Sequence, residues 1–187
     1  NMGCPTAMPP ASLRVLHAIH DFLPRHRAGS EIYVHELCRA QLARGHHATV
    51  VCAEFDPAQA HGLVRWRVHD GVPVAEIVNN WTTRTFVDTY RPPVVTARLG
   101  SVLDAVQPDI LHVHNLLNLS FDLPRLARAR GARVVATLHD YTLVCPSGGQ
   151  RIHRDEAHLC RQIDPARCAR CFQASPFAQQ AAWTSIA

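Results

Sequence analysis

An α/β fold, a Rossmann-like and mostly parallel sheet with helices on both faces, plus a Cys-rich loop, is expected from three features of this chain. Short apolar, β-branched runs alternate with amphipathic stretches of helical length. Glycines stand where helices should stop, at Gly45 and Gly131. Polar residues follow directly on the apolar runs, as His139-Asp140-Tyr141 follow residues 133–138. Ligands in open α/β sheets bind outside the carboxyl ends of the strands, so these polar tips fall where such folds do chemistry.

The elements follow in order. Residues 1–11 are rich in Pro and Ala and read as a flexible tail, and residues 12–187 as one Rossmann-like domain. Residues 13–20 read as a buried strand, followed by a polar loop to Ser30 containing Pro24, Arg25, Arg27 and Gly29. Ser30 is placed to cap a helix over 31–44, whose Ile32, Val34, Leu37, Cys38 and Leu42 form an apolar stripe. A second strand covers 47–52. Asp70-Gly71 between the apolar runs 63–69 and 72–78 is a hairpin signal. A helix over 92–106 starts with Pro, whose missing N–H costs little in a first turn. Residues 108–114 form a strand with a polar tip, and a helix runs from Asn118 or Ser120 to Arg130. The run 133–138 reads as a buried strand. Residues 141–172 show neither period, and 174–187 are helical. Strands and helices alternating at this spacing imply right-handed crossovers and a parallel sheet.

Composition narrows the classes. The chain has 187 residues, enough for one sizeable core. Its 19 basic residues are all arginine, they outnumber 15 acidic ones for a net charge of +4, and they are scattered, which argues against a nucleic-acid stripe. No apolar stretch reaches the roughly 18 residues of a transmembrane helix, and the N-terminus lacks the apolar core of a signal peptide. Ala7 stands where a myristoylation signal wants Ser or Thr. Seven cysteines without a signal peptide suggest a reducing, cytoplasmic setting and no disulfide framework.

Four groups of residues are candidates for chemistry. His139 and Asp140 end a strand: the imidazole either donates to a hydroxyl or phosphate, or acts as acid or base, or simply caps the strand. Gly29-Ser30 opens a helix, where free N–H groups meet anions, or is a plain connection; a lone Gly is not a dinucleotide fingerprint. His112 and His114 alternate onto one face, with His114-Asn115 read as cleft residues and His112 as structural. Cys168-x-x-Cys171 has knuckle spacing, and Cys145 and Cys160 would complete a four-Cys zinc site, with His153 and His158 in reserve. Ordinary thiols, a redox pair in Cys168 and Cys171, and an iron–sulfur centre are the other readings of that cluster. Cys38 and Cys52 belong to the core.

Ala28-Gly-Ser-Glu31, then Leu42-Ala-Arg-Gly-His46, Pro108-Asp-Ile-Leu-His-Val-His-Asn115 and Thr137-Leu-His-Asp-Tyr141, in that order, resemble the N-terminal domain of family 4 retaining glycosyltransferases with the GT-B architecture. Leu143-Val-Cys-Pro146 and the trailing cysteines resemble a cysteine-containing subgroup. The resemblance implies a bacterial-type hexosyltransferase that uses a nucleotide-sugar donor and a glycan, lipid-linked or small-molecule acceptor. It implies polysaccharide biosynthesis, no catalytic metal, and any zinc as structural. It assigns His139 to the transferred sugar, His114, Asn115, Asp140 and Tyr141 to the acceptor side, and Gly29 and Ser30 to the donor phosphates. An Arg-rich surface and helices near the cleft would suit a lipid-linked or polysaccharide acceptor and peripheral contact with the inner membrane face. The family often has Gly-Gly where Ala28-Gly29 stands, and its donor-binding pair of glutamates seven residues apart is absent from this chain. The chain is therefore expected to be the acceptor half of a longer enzyme and inactive alone. A non-catalytic glycan- or nucleotide-binding module and a metal- or redox-sensing Cys-cluster protein are the competing readings.

Overall fold

The structure, a computed structural model, describes residues 12–153 and 155–184, so the tail expected over 1–11 and the last three residues of the expected C-terminal helix lie outside the described residues. Strands β1 (Arg14–Ala18), β2 (His47–Glu54), β3 (Val64–His69), β4 (Val72–Val78), β5 (Ile110–Val113) and β6 (Arg133–Ala136) form one sheet in the order β3-β4-β2-β1-β5-β6. All neighbours are parallel except β3, which joins β4 through the hairpin. Asp70 and Gly71 both have positive φ, 47° and 81°, the turn that matches the twist of the strands.

Helices cover both faces of the sheet over its central strands β1, β2 and β4, which are buried along most of their length. Helix α1 (Gly29–Ala43) lays Val34 and Cys38 on Val50, Cys52, Val72 and Val74. Helices α2 (Pro93–Val106) and α3 (Leu123–Arg128) lay Val95, Leu99, Leu103 and Leu123 on Leu16, Val51, Ile77 and Leu111. Each buried Leu or Val contributes roughly 1.5–3 kcal/mol. Cys38 and Cys52 are core residues as expected; burial raises both thiols, Cys38 to about 12.

Several expectations are corrected. Ser30 is not the cap: Ala28 precedes the helix, and the Glu31 carboxylate accepts both the Ala28 N–H (2.9 Å) and the Ser30 hydroxyl (2.9 Å). A Glu at the third helical position can reach back in this way whichever residue precedes the helix. Helix α3 starts later than expected because Asn118 has φ of 64° and the Ser120 hydroxyl accepts the Asp122 N–H (3.2 Å), closing a turn instead. The run 133–138 is not buried: Val135 is 48 % and Leu138 67 % exposed. It forms the sheet's last strand, and α1 lies over β2 and β4, leaving β6 without a covering helix on that face among the described residues.

The loop 141–172 carries structure of its own. It contains a small hairpin, β7 (Ile152–His153) with β8 (His158–Leu159), and α4 (Pro165–Cys171). Asp164 caps α4 by accepting from the Ala166 and Arg167 N–H groups at 3.0 and 3.2 Å. Helix α5 (Pro176–Thr184) closes the described chain.

Candidate active site at the strand tips

The parallel strands deliver their carboxyl ends to one edge of the sheet. At the β5–β6 end, His114 follows β5 and its N–H bonds the Ala18 carbonyl of β1 (2.8 Å). The register sets His17 beside His112, and the alternation of β5 puts His112 and His114 on one face, 4.1 Å apart between ring centres. The result is a chain of imidazoles running from the core to the surface. His17 bonds Gln41 of α1 (Nε2 to Oε1, 2.8 Å) and His114 (Nδ1 to Nε2, 3.1 Å). His114 Nδ1 then bonds His139 Nε2 (3.1 Å). His17 is fully buried, His114 is 4 % exposed, and His139 is exposed. Tyr33 of α1 packs edge-on over His139 at 5.3 Å and His114 at 5.9 Å.

This order fixes the tautomers. A carbonyl oxygen only accepts, so His17 Nε2 carries its proton and Nδ1 is a lone pair. That lone pair needs His114 Nε2–H, and His114 Nδ1 in turn needs His139 Nε2–H. Burial lowers His17 to about 4, against the raising effect of Gln41 and with a further lowering from His112. Burial and then the neighbouring His112, His17 and His139 lower His114 to about 2. Both interior rings are therefore neutral at neutral pH, and the exposed His139 ends the chain.

The β1–β2 end is acidic. His20 and Asp21 follow β1, and Glu54 ends β2. His20 Nε2 lies 3.6 Å from Asp21 and 3.7 Å from Glu31, while His26 bonds Glu54 at 3.2 Å and Arg25 pairs with the same carboxylate at 3.2 Å. Burial raises the Asp21 carboxyl; His20 and His26 pull it down, and Glu54 and Glu31 push it up. Glu76 of β4, buried among Arg25, Arg65 and Arg67, anchors this end, and Arg67 also bonds the Leu23 carbonyl (2.6 Å).

His114, Asn115, His139 and Asp140 line one cavity of about 240 Å³, whose remaining wall is apolar, including Leu116, Phe121, Leu138 and Leu143. Tyr141 does not line it; its ring is exposed and carries the Arg151 guanidinium at 5.9 Å. Asn115 Oδ1 accepts the Leu117 N–H (2.8 Å) and Asp140 Oδ1 the Thr142 N–H (2.8 Å), so each also shapes its own turn. Gly29 and Ser30 open α1 away from this cavity, and a Cβ on Gly29 would meet nothing within 4 Å. His112, expected to be structural, bonds Thr137 Oγ1 (2.8 Å).

Metal-ligand residues gather at the imidazole chain and in the Cys-rich loop. His17, His112 and His114 offer nitrogens within 4.8 Å of one another, but His17 and His114 already spend theirs on each other. Cys145, Cys160, Cys168 and Cys171 line one cavity of about 10 Å³ together with His153. His153 donates Nε2–H to the Arg167 carbonyl (3.2 Å) and leaves Nδ1 buried and unpartnered. The donor set suits zinc, yet no three of these sulfurs lie within 4.8 Å of one another, so the cysteines are gathered but not drawn to tetrahedral spacing.

Sequence reasoning missed His17, Gln41, Tyr33 and the His20-Asp21 tip. The last had a readable signal, since His20-Asp21 follows a strand just as His139-Asp140 does. The others join residues far apart in the chain, 24 and 97 positions for the two bonds of His17 and farther still for Tyr33 with His139, a pairing no local pattern displays.

No curated protein matches this chain. A solved structure of trehalose-6-phosphate synthase, studied with bisubstrate glycomimetics for glycosyl transfer with retention, aligns at a TM-score of 0.36 and 12% identity, over 67% of this chain and 32% of that one. The chain thus spans about a third of the length of that relative. The model of "Glycosyltransferase Family 4" matches residues 27–182, from the loop before α1 through the Cys-rich loop to α5, and the chain belongs to that family.

Proposed function

We propose that this domain forms the acceptor side of a retaining glycosyltransferase that moves a hexose from a nucleotide-sugar to a glycan, lipid-linked or small-molecule acceptor. The observation that carries this reading is the imidazole chain from Gln41 to His139, which ends beside a cavity with a polar floor and an apolar wall. His139, whose Nε2–H is committed to His114, presents Nδ1 to a sugar hydroxyl. Asp140 Oδ2 supplies a second acceptor, since Oδ1 holds the Thr142 N–H. His17 and His114 act through His139 and are positioning residues. The open space at Gly29 and the N–H groups of the first turn of α1 suit the approach of an anionic donor group. The apolar wall at Leu138 and Leu143 favours an acceptor with an apolar portion, held in the cytoplasm or at the inner membrane face.

The test is His139→Ala in the full-length enzyme. Loss of a positioned imidazole should lower turnover about a hundredfold with the fold intact. Unchanged turnover would remove His139 from the reaction.

A structural zinc held by Cys145, Cys160, Cys168 and Cys171 would order the loop that follows His139-Asp140. Elemental analysis should find zinc in the purified protein, and its removal should expose residues 141–172 to proteolysis. A zinc-free protein with a protease-resistant loop would contradict this.

A further inference from the structure

A second cluster of ligating groups lies away from the strand tips, between α1 and the β3–β4 hairpin. His35 of α1 is 5 % exposed, and its Nε2 is buried without a hydrogen-bond partner. It faces a cavity of about 320 Å³ that His69 and Asp70 also line. One ligand atom from each of His35, His69 and Asp70 lies within 4.8 Å of the other two. Asp70 Oδ2 is 3.7 Å from His35 Nε2 and 3.8 Å from His69 Nε2.

These separations have a plain chemical reading. Two ligands about 2.0–2.1 Å from a tetrahedral ion stand about 3.3 Å apart. The observed spacings exceed that by a few tenths of an ångström, which side-chain rotation supplies. They are too long for hydrogen bonds, so the buried Nε2 gains nothing from Asp70 as it stands. Glu36 Oε1 lies 3.4 Å from the other nitrogen of His35, where a carboxylate orients a metal-bound imidazole. The left-handed φ of Asp70 (47°) fixes its carboxylate at the turn beside His69. Arg27 and Arg39 also line the cavity, and Arg39 pairs with Glu36 at 3.7 Å.

We propose that His35, His69 and Asp70 bind one divalent transition-metal ion of the zinc, nickel and copper class, clasping α1 to the β3–β4 hairpin. Two imidazoles and one carboxylate select such ions over calcium or magnesium, and water completes the coordination. Helix α1 also carries Gln41 and Tyr33, which hold the imidazole chain. Occupancy of the clasp therefore stiffens the helix that orders the strand-tip site.

The experiment is a cobalt(II) titration of the metal-free, reduced protein, followed by absorbance and by Tm. Cobalt on the cysteines gives an intense thiolate charge-transfer band, whereas cobalt on His35, His69 and Asp70 gives only weak ligand-field bands. The wild type should bind one equivalent more than Asp70→Asn or His69→Gln, with the thiolate region identical in all three. Asp70→Asn preserves the turn, because Asn also adopts positive φ. Glu36→Gln should weaken that equivalent about tenfold. His112→Gln should keep it. Equal cobalt uptake by the wild type, Asp70→Asn and His69→Gln would overturn the proposal, as would loss of the equivalent in His112→Gln.

Discussion

At the β5–β6 tips the buried imidazoles of His17 and His114 bond to one another and onward to the exposed His139; at the β1–β2 tips the carboxylates of Asp21, Glu31 and Glu54 bury their polarity against His20, His26 and Arg25. The buried rings of the first, His17 and His114, are neutral at neutral pH, so their tautomers are set by geometry. The second is charged, and its protonation state follows the surroundings. A site that needs one constant acceptor atom is better built on the first, and a site that responds to an anion or a proton on the second. His139 belongs to the first set and Gly29 to the loop braced by the second.

The largest expected effect on stability separates the two ends by pH. His17 titrates near 6.5 when unfolded and near 4 when folded, so its contribution is full above 6.5 and is lost as pH falls from 6.5 toward 4. That difference of 2.5 units corresponds to about 3 kcal/mol. Denaturant melts between pH 7 and 4 should show the loss, and His17→Gln should reduce it, the remainder coming from His114, which burial also lowers. Asp21 has the opposite sign. Its folded pKa is raised above 3.8, so its cost is absent below 3.8 and grows as pH rises from there toward the folded pKa. Asp21→Asn should therefore stabilise the protein at pH 7 and leave it unchanged at pH 3. A drop in Tm at pH 7 would show that the carboxylate's partners outweigh its burial.

The smallest stability effect is at Gly29. Its backbone is helical and a Cβ meets nothing, so Gly29→Ala should leave Tm unchanged or raise stability by about 0.5 kcal/mol. A fall in kcat/KM with Tm held would mean that a ligand approaches the backbone there; unchanged kcat/KM would make the loop a plain connection.

Much of the fold was legible because its signals are local. Asp70-Gly71 turned the hairpin, Gly45 and Gly131 took positive φ at helix ends, and the period of each run named its element. Asp164-Pro165, a cap followed by a first-turn proline, announced α4 but sat among residues without any period. The exposure of β6 was not legible, since Val134-Val135-Ala136 reads the same on a central strand as on an edge. Within the site, His114, Asn115, His139 and Asp140 were found from their place after strands. The chain that joins two of them was not, because His17 sits inside an apolar strand and Gln41 on the far half of a helix. Their meeting depends on the strand order β2-β1-β5-β6, which only the folded sheet specifies.

The central claim is that a fixed tautomer chain holds His139. Long-range proton–nitrogen NMR on the imidazole rings at pH 7 tests it directly. The account predicts Nε2–H tautomers for His17, His114 and His139, and no protonation of His17 or His114 down to pH 5. An Nδ1–H tautomer at His114, or titration of His17 near 6.5, would contradict it.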